Sequence, residues 1–177
     1  MLPDLDPVSG CLPPGRFSVA IEDVPARFAT NDHRVSLWNQ WQAATDVLRG
    51  AIPVSSAWLG GSYFSVKEEP GDIDCVYVVD VERIDALDDA GRALLQFFAN
   101  NKLRGLFGYQ IDSFLLAWQS NPTTAPRGPQ DYQYLQTRGY WDDLWSRMRS
   151  GTKDSQPTRL DSLPRRGYLE VTLDGYS

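Results

Sequence analysis

Two aspartates, Asp72 and Asp74, stand two residues apart where the chain enters an apolar run, residues 75–79. That run of β-branched, aromatic and small apolar residues predicts a buried strand. Side chains two apart on a strand share a face, so both carboxylates fall together. Ionised carboxylates side by side repel, and such a pair persists only with a shared cation, a shared proton or free access to water. A third carboxylate, Asp112, stands between apolar neighbours in residues 106–118, a second predicted strand that could lie beside the first. Three hard oxygen ligands open to solvent suit Mg²⁺ (or Mn²⁺), which keeps several waters and is usually completed by phosphate oxygens of a substrate.

Gly61 and Ser62 precede the aspartates across an acidic loop broken by Pro70-Gly71. Glycine lets backbone approach a phosphate closely, and turn N–H groups with a serine hydroxyl can hold anionic oxygens. Lys67 could reach a phosphate from the same loop, although a lysine beside Glu68 and Glu69 is more often solvated charge. A phosphate cradle facing a carboxylate-bound metal is equipment for phosphoryl or nucleotidyl transfer, where catalysis is largely positioning and charge neutralisation.

The elements that must position these residues follow from periodicity. The leader, residues 1–20, is rich in Pro and Gly and predicts extended chain over the surface. Residues 35–49 place Leu37, Trp38, Trp41, Ala44, Val47 and Leu48 at helical spacing, with Gly50 as a stop. A short strand over 52–59 leads to the Gly60-Gly61-Ser62 turn. After Val79 come a loop and a helix, then the strand bearing Asp112, then a Pro-rich loop. Residues 131–149 predict a helical region with a candidate break at Gly139, and residues 167–173 alternate as a closing strand. Trp141 and Trp145, four apart, read as core packing. The order gives an α/β or α+β domain, a small mixed β-sheet flanked by helices.

At 177 residues the chain suits one core and one domain, 1–177, with its motif-bearing core over 54–117 and a C-terminal helix and strand over 130–177. The formal net charge of -6 argues against bulk nucleic-acid binding through the overall field, although Arg147, Arg149, Lys153, Arg159, Arg165 and Arg166 concentrate in the last third. No apolar stretch approaches a membrane span and no basic-then-apolar leader is present, so no membrane association and a cytoplasmic location are expected. Cys11 and Cys75 sit in unlike contexts, which argues against a disulfide framework or zinc site. His33, the single histidine, has no Ser or Cys motif to pair with and reads as a polar residue before the first long helix.

Gly61-Ser62, nine intervening residues and then Asp72-Ile73-Asp74 in an apolar strand resembles the signature of the DNA polymerase beta-like nucleotidyltransferase superfamily. Residues 12–17, LPPGRF, and 165–171, RRGYLEV, look similar to a group of small bacterial members. The resemblance implies a nucleotidyltransferase-like fold in which Gly61 and Ser62 hold the triphosphate. Asp72 and Asp74 would bind Mg²⁺, and Asp112 would join them at a second metal and help deprotonate the acceptor. The loop after Gly61-Ser62 lacks the Arg-rich character common in that superfamily, and no long helical C-terminal domain follows. The implied activity is transfer of a nucleoside monophosphate from an NTP to a hydroxyl of a protein, a small molecule or tRNA, in a setting such as a toxin-antitoxin or phage-defence pair. The rival is a catalytically silent module of the same fold that binds a protein partner, for instance as an antitoxin.

Overall fold

The computed structural model describes residues 2–152 and 154–176. Five strands form one mixed sheet: β1 (Gly15–Val19), β2 (Ser56–Gly60), β3 (Ile73–Asp80), β4 (Ile111–Trp118) and β5 (Gly167–Thr172). Their spatial order is β1-β5-β2-β3-β4. β1 runs parallel to β5 and β3 parallel to β4, while β2 is antiparallel to both β5 and β3. The helices are α1 (Asp23–Phe28), α2 (Asp32–Ala51), α3 (Val81–Asp85), α4 (Asp89–Ala99), α5 (Leu103–Phe107) and α6 (Pro129–Ser146). This is an α+β architecture. Parallel neighbours cannot be joined by a tight turn, and α3, α4 and α5 form the crossover that carries β3 to β4.

Strand alternation sorts the core into two clusters. Ile73, Cys75, Tyr77 and Val79 of β3 face α2 and α4, where they meet Trp38, Trp41, Leu48, Leu95 and Phe98. Tyr77 Oη lies 2.8 Å from Thr45 Oγ1 of α2, so this buried hydroxyl is satisfied. The alternate residues Val76 and Val78 face Trp141 and Trp145 of α6, with Trp58, Leu116 and Tyr168. Both cysteines are free, and burial pushes the Cys75 thiol far above its ordinary range, which makes it inert. Among the described residues no helix is long and apolar enough to cross a membrane.

Four sequence expectations need correcting. The leader is not merely a surface wrap: Gly15–Val19 forms the edge strand β1, and Leu12 is fully buried. The last strand does not close the sheet but lies inside it, between β1 and β2. Leu106 and Phe107 end the short helix α5, so the strand bearing Asp112 starts only at Ile111. Gly139 does not break α6, because intrahelical bonding over eighteen residues and burial of Trp141 and Trp145 offset a glycine cost of about 1 kcal/mol.

Candidate functional site

Asp74 and Asp112 are register partners across the parallel β3–β4 pair, one residue in from the start of each strand. Their parity with Val76 and Phe114 puts both on the α6 side of the sheet, at its edge rather than under the helix. Asp72 sits just before β3. Arg104, on α5, joins the outer two: its Nη2 donates to Asp72 Oδ2 at 2.8 Å and to Asp112 Oδ1 at 3.3 Å. A guanidinium therefore supplies a cation shared by Asp72 and Asp112, and no bond from it reaches Asp74 among the described residues. Among the described residues no group of three or more His, Cys, Asp or Glu side chains is arranged to hold a metal ion.

Asp74 is the strained member of the set. Burial, and then the charges of Asp72 and Asp112, push its carboxyl up to about 6, against smaller opposing pulls from Arg166 and Arg104. Arg166 is itself held at the site by a 3.1 Å bond from its Nε to the Trp145 carbonyl.

The paired glycines do two separate jobs. Gly61 has φ +83°, and a Cβ there would stand 1.8 Å from Asp74 Oδ2, so only glycine lets the carboxylate lie against the turn. A Cβ on Gly60 would stand 2.7 Å from Cδ1 and Nε1 of Trp145. The Trp145 indole N–H, buried against Gly60, has no hydrogen-bond partner. Gly61→Ala is expected to cost about 1–3 kcal/mol from backbone strain, with further loss as Asp74 is displaced. Gly60→Ala should cost about 1–3 kcal/mol through overpacking against Trp145. Urea midpoints of both variants check this, and a variant as stable as the parent would show that the turn relaxes freely.

The loop between Ser62 and Asp72 is fastened from the start of α2. Asn31 Nδ2 donates to the Glu68 carbonyl at 3.1 Å and His33 Nε2 to the Pro70 carbonyl at 2.6 Å. Arg34, only 3 % exposed, donates through Nε to the Phe28 carbonyl at 2.5 Å, through Nη1 to the Lys67 carbonyl at 2.7 Å, and through Nη2 to the Tyr63 carbonyl. Its guanidinium also lies over the Tyr63 ring, 4.6 Å from the centroid. His33 is thus a loop anchor. Ser62 opens the 3-10 turn Ser62–Phe64 directly after Gly61. Lys67 is exposed and lines a hollow with Arg27, Asn31 and Glu68, on the α1–α2 side of the loop.

The C-terminal basic residues are largely engaged elsewhere. Arg147 pairs with Asp143, Arg149 donates to the Ser155 carbonyl at 2.8 Å, and Arg165 donates to Ser150 Oγ at 2.7 Å. Arg159 belongs to the 3-10 turn Arg159–Ser162, and Lys153 lies outside the described residues. Among the described members of this group, Arg166 is the one whose charge acts on Asp74. Sequence reasoning missed Arg104, the fit of Trp145 against Gly60 and the Arg34 clamp. Each depends on residues brought together from distant segments, and no local pattern marks them.

No curated protein and no solved structure matches the chain. Residues 3–172 match DUF6932, a family of unknown function, and the chain belongs to that family.

Proposed function

We propose that the protein is a metal-dependent nucleotidyltransferase, moving a nucleoside monophosphate from an NTP to a hydroxyl acceptor with release of pyrophosphate. The observation that carries this reading is the pairing of Asp74 with Asp112 across β3 and β4, with Asp72 beside them and Gly61 packed on Asp74. The donors are hard carboxylate oxygens, the class a divalent cation takes, and they would have to rearrange around it, since Arg104 now spans Asp72 and Asp112.

Asp72, Asp74 and Asp112 would hold Mg²⁺, which when bound neutralises phosphate charge and activates the attacking hydroxyl. Gly61 and Ser62 would face the triphosphate from the turn through their backbone N–H groups and the Ser62 hydroxyl. Arg166 adds positive charge on the Trp145 side, suited to a phosphate oxygen. Cytoplasmic location and an acceptor of protein, small-molecule or tRNA type belong to the same proposal.

The test is pyrophosphate release from each of the four NTPs with Mg²⁺, offering hydroxylated small molecules, tRNA and protein in turn. Release that depends on both acceptor and metal, and that Asp72→Asn with Asp74→Asn abolishes, supports the reading. Release unaffected by that double substitution sinks it. A second reading, a silent module that docks a partner protein, is favoured by one observation: Tyr132, Leu135 and Tyr140 of α6 are each at least half exposed. That apolar face is where a partner would sit.

A further inference from the structure

We propose a second binding site, for a planar aromatic monoanion, in the hollow between the sheet and α6 at the end remote from the aspartates. It stands apart from the nucleotidyltransferase reading. Val78, in the hollow, lies four residues beyond Asp74 on β3, about 13 Å along the strand. Val76 and its register partner Phe114, packed against Trp141 and Trp145, lie between the two places.

The hollow measures about 390 Å³, inside the range of roughly 300–1,000 Å³ for small-ligand sites. Its floor is the buried sheet surface of Trp58, Val78 and Leu116. Trp118 and Tyr176, edge to face with centroids 5.2 Å apart, line it together with Tyr134 of α6. An apolar floor between aromatic side chains takes a flat ring by offset stacking or edge contact.

Three charged side chains line the same space, and their partners set the charge of the ligand. Glu170 Oε1 accepts the Trp58 indole N–H and the Tyr176 hydroxyl, each at 3.1 Å, and Oε2 lies 3.5 Å from Arg16 Nε. Arg16 also lies over the Trp58 ring, 5.1 Å from its centroid. Arg16 and Glu170 therefore neutralise each other. Arg138 forms no ion pair among the described residues, and its Nη1 donates to the Tyr134 hydroxyl only at 3.4 Å. The carboxylates nearest it along α6 are engaged by other groups. Asp131 accepts from Asn121 Nδ2 at 2.8 Å and from the Arg127 backbone N–H at 2.6 Å. Asp142, which lines an adjoining hollow with Arg138, accepts the Tyr168 hydroxyl. One uncompensated guanidinium beside aromatic walls suits a ring bearing a single planar anion, which the fork of an arginine grips bidentately. A dianion would face Glu170 without a second free cation.

Calorimetric titration of 2-naphthoate, with uncharged 2-naphthylmethanol for comparison, into the parent, Arg138→Gln and Trp118→Leu tests the site. The parent should bind naphthoate saturably and more tightly than the alcohol. Arg138→Gln should weaken naphthoate about tenfold, as loss of a charged hydrogen-bond donor does, and leave the alcohol unchanged. Trp118→Leu should weaken both ligands about fivefold through loss of an aromatic wall. Urea midpoints establish that each variant is folded. Arg138 is half-buried on the outer part of α6, so Arg138→Gln decides the matter even where Trp118→Leu is unstable.

No saturable binding of naphthoate to the parent overturns the proposal. So does naphthoate binding that Arg138→Gln leaves unchanged, or a loss in Arg138→Gln that is equal for naphthoate and the alcohol, which is what a merely structural arginine would give. None of these results touches the aspartate cluster.

Discussion

Asp74→Asn is expected to make the protein more stable and to cripple the proposed nucleotidyl transfer. The folded state holds the Asp74 carboxyl at about 6, against an ordinary 3.8, so folding binds a proton more tightly there than the unfolded chain does. Stability therefore falls as pH rises from about 4 to about 6, and the full penalty is present above that window. A shift of about two units corresponds to at most about 3 kcal/mol. Allowing for partial solvation of the side chain, about 1–2 kcal/mol is expected in favour of the Asn variant at pH 8, shrinking to nothing near pH 4. Urea denaturation of both proteins across pH 4–8 measures it. The same substitution removes a ligand of the proposed metal, and pyrophosphate release should drop about 1,000-fold, since metal stabilisation of the transition state is worth several kcal/mol. A gain in stability with loss of function is the signature of a site built at the expense of the fold. A variant that is less stable at pH 8 would show that Asp74 has a structural partner outweighing its repulsion.

Arg34→Met should be among the most destabilising single substitutions in the chain. Methionine fills much of the volume but leaves the carbonyls of Phe28, Tyr63 and Lys67 without their donor. Stranding buried acceptors costs about 1–3 kcal/mol each, less where water can enter, which suggests about 3–5 kcal/mol in all. The damage should also reach the site, because Arg34 ties α1, the Ser62–Phe64 turn and the acidic loop to the start of α2. Guanidinium chloride midpoints give the stability loss, and hydrogen exchange should show loss of protection concentrated near Tyr63. Arg34→Lys tests the geometry: one ammonium cannot reach three separated carbonyls in the plane of a fork, so it should recover less than half of the loss.

The strands and long helices were legible wherever period and punctuation agreed. The apolar run after Asp74 became β3, the Trp38/Trp41 stripe became the inner face of α2, and the residues after Arg166 became β5. Position within the sheet was not legible. Nothing local says that β5 pairs with both β1 and β2, since that choice is made by long-range burial of Tyr168, Leu169 and Val171. Likewise the leader's Pro and Gly hide a strand whose ladder is completed by a segment about 150 residues away. At the site, Asp72, Asp74 and Asp112 could be named because carboxylates in apolar strands are conspicuous. Arg104 could not, because an exposed arginine in a helical segment looks like ordinary solvated charge until the fold sets it against two carboxylates. Gly61 reads with Ser62 as a phosphate cradle and Gly60 only as part of the same turn, yet Gly60 is glycine for Trp145 and Gly61 for Asp74.

The central claim is that the aspartate cluster binds a metal-nucleotide complex, and calorimetric titration tests it without knowledge of the acceptor. Each NTP with Mg²⁺ would be titrated into the parent and into the Asp72→Asn, Asp74→Asn double variant at pH 8, where Asp74 is ionised. Saturable, Mg²⁺-dependent binding to the parent and none to the folded double variant is the predicted result. Equal binding to both proteins, or none of any NTP to the parent, would contradict the account and turn attention to the exposed face of α6.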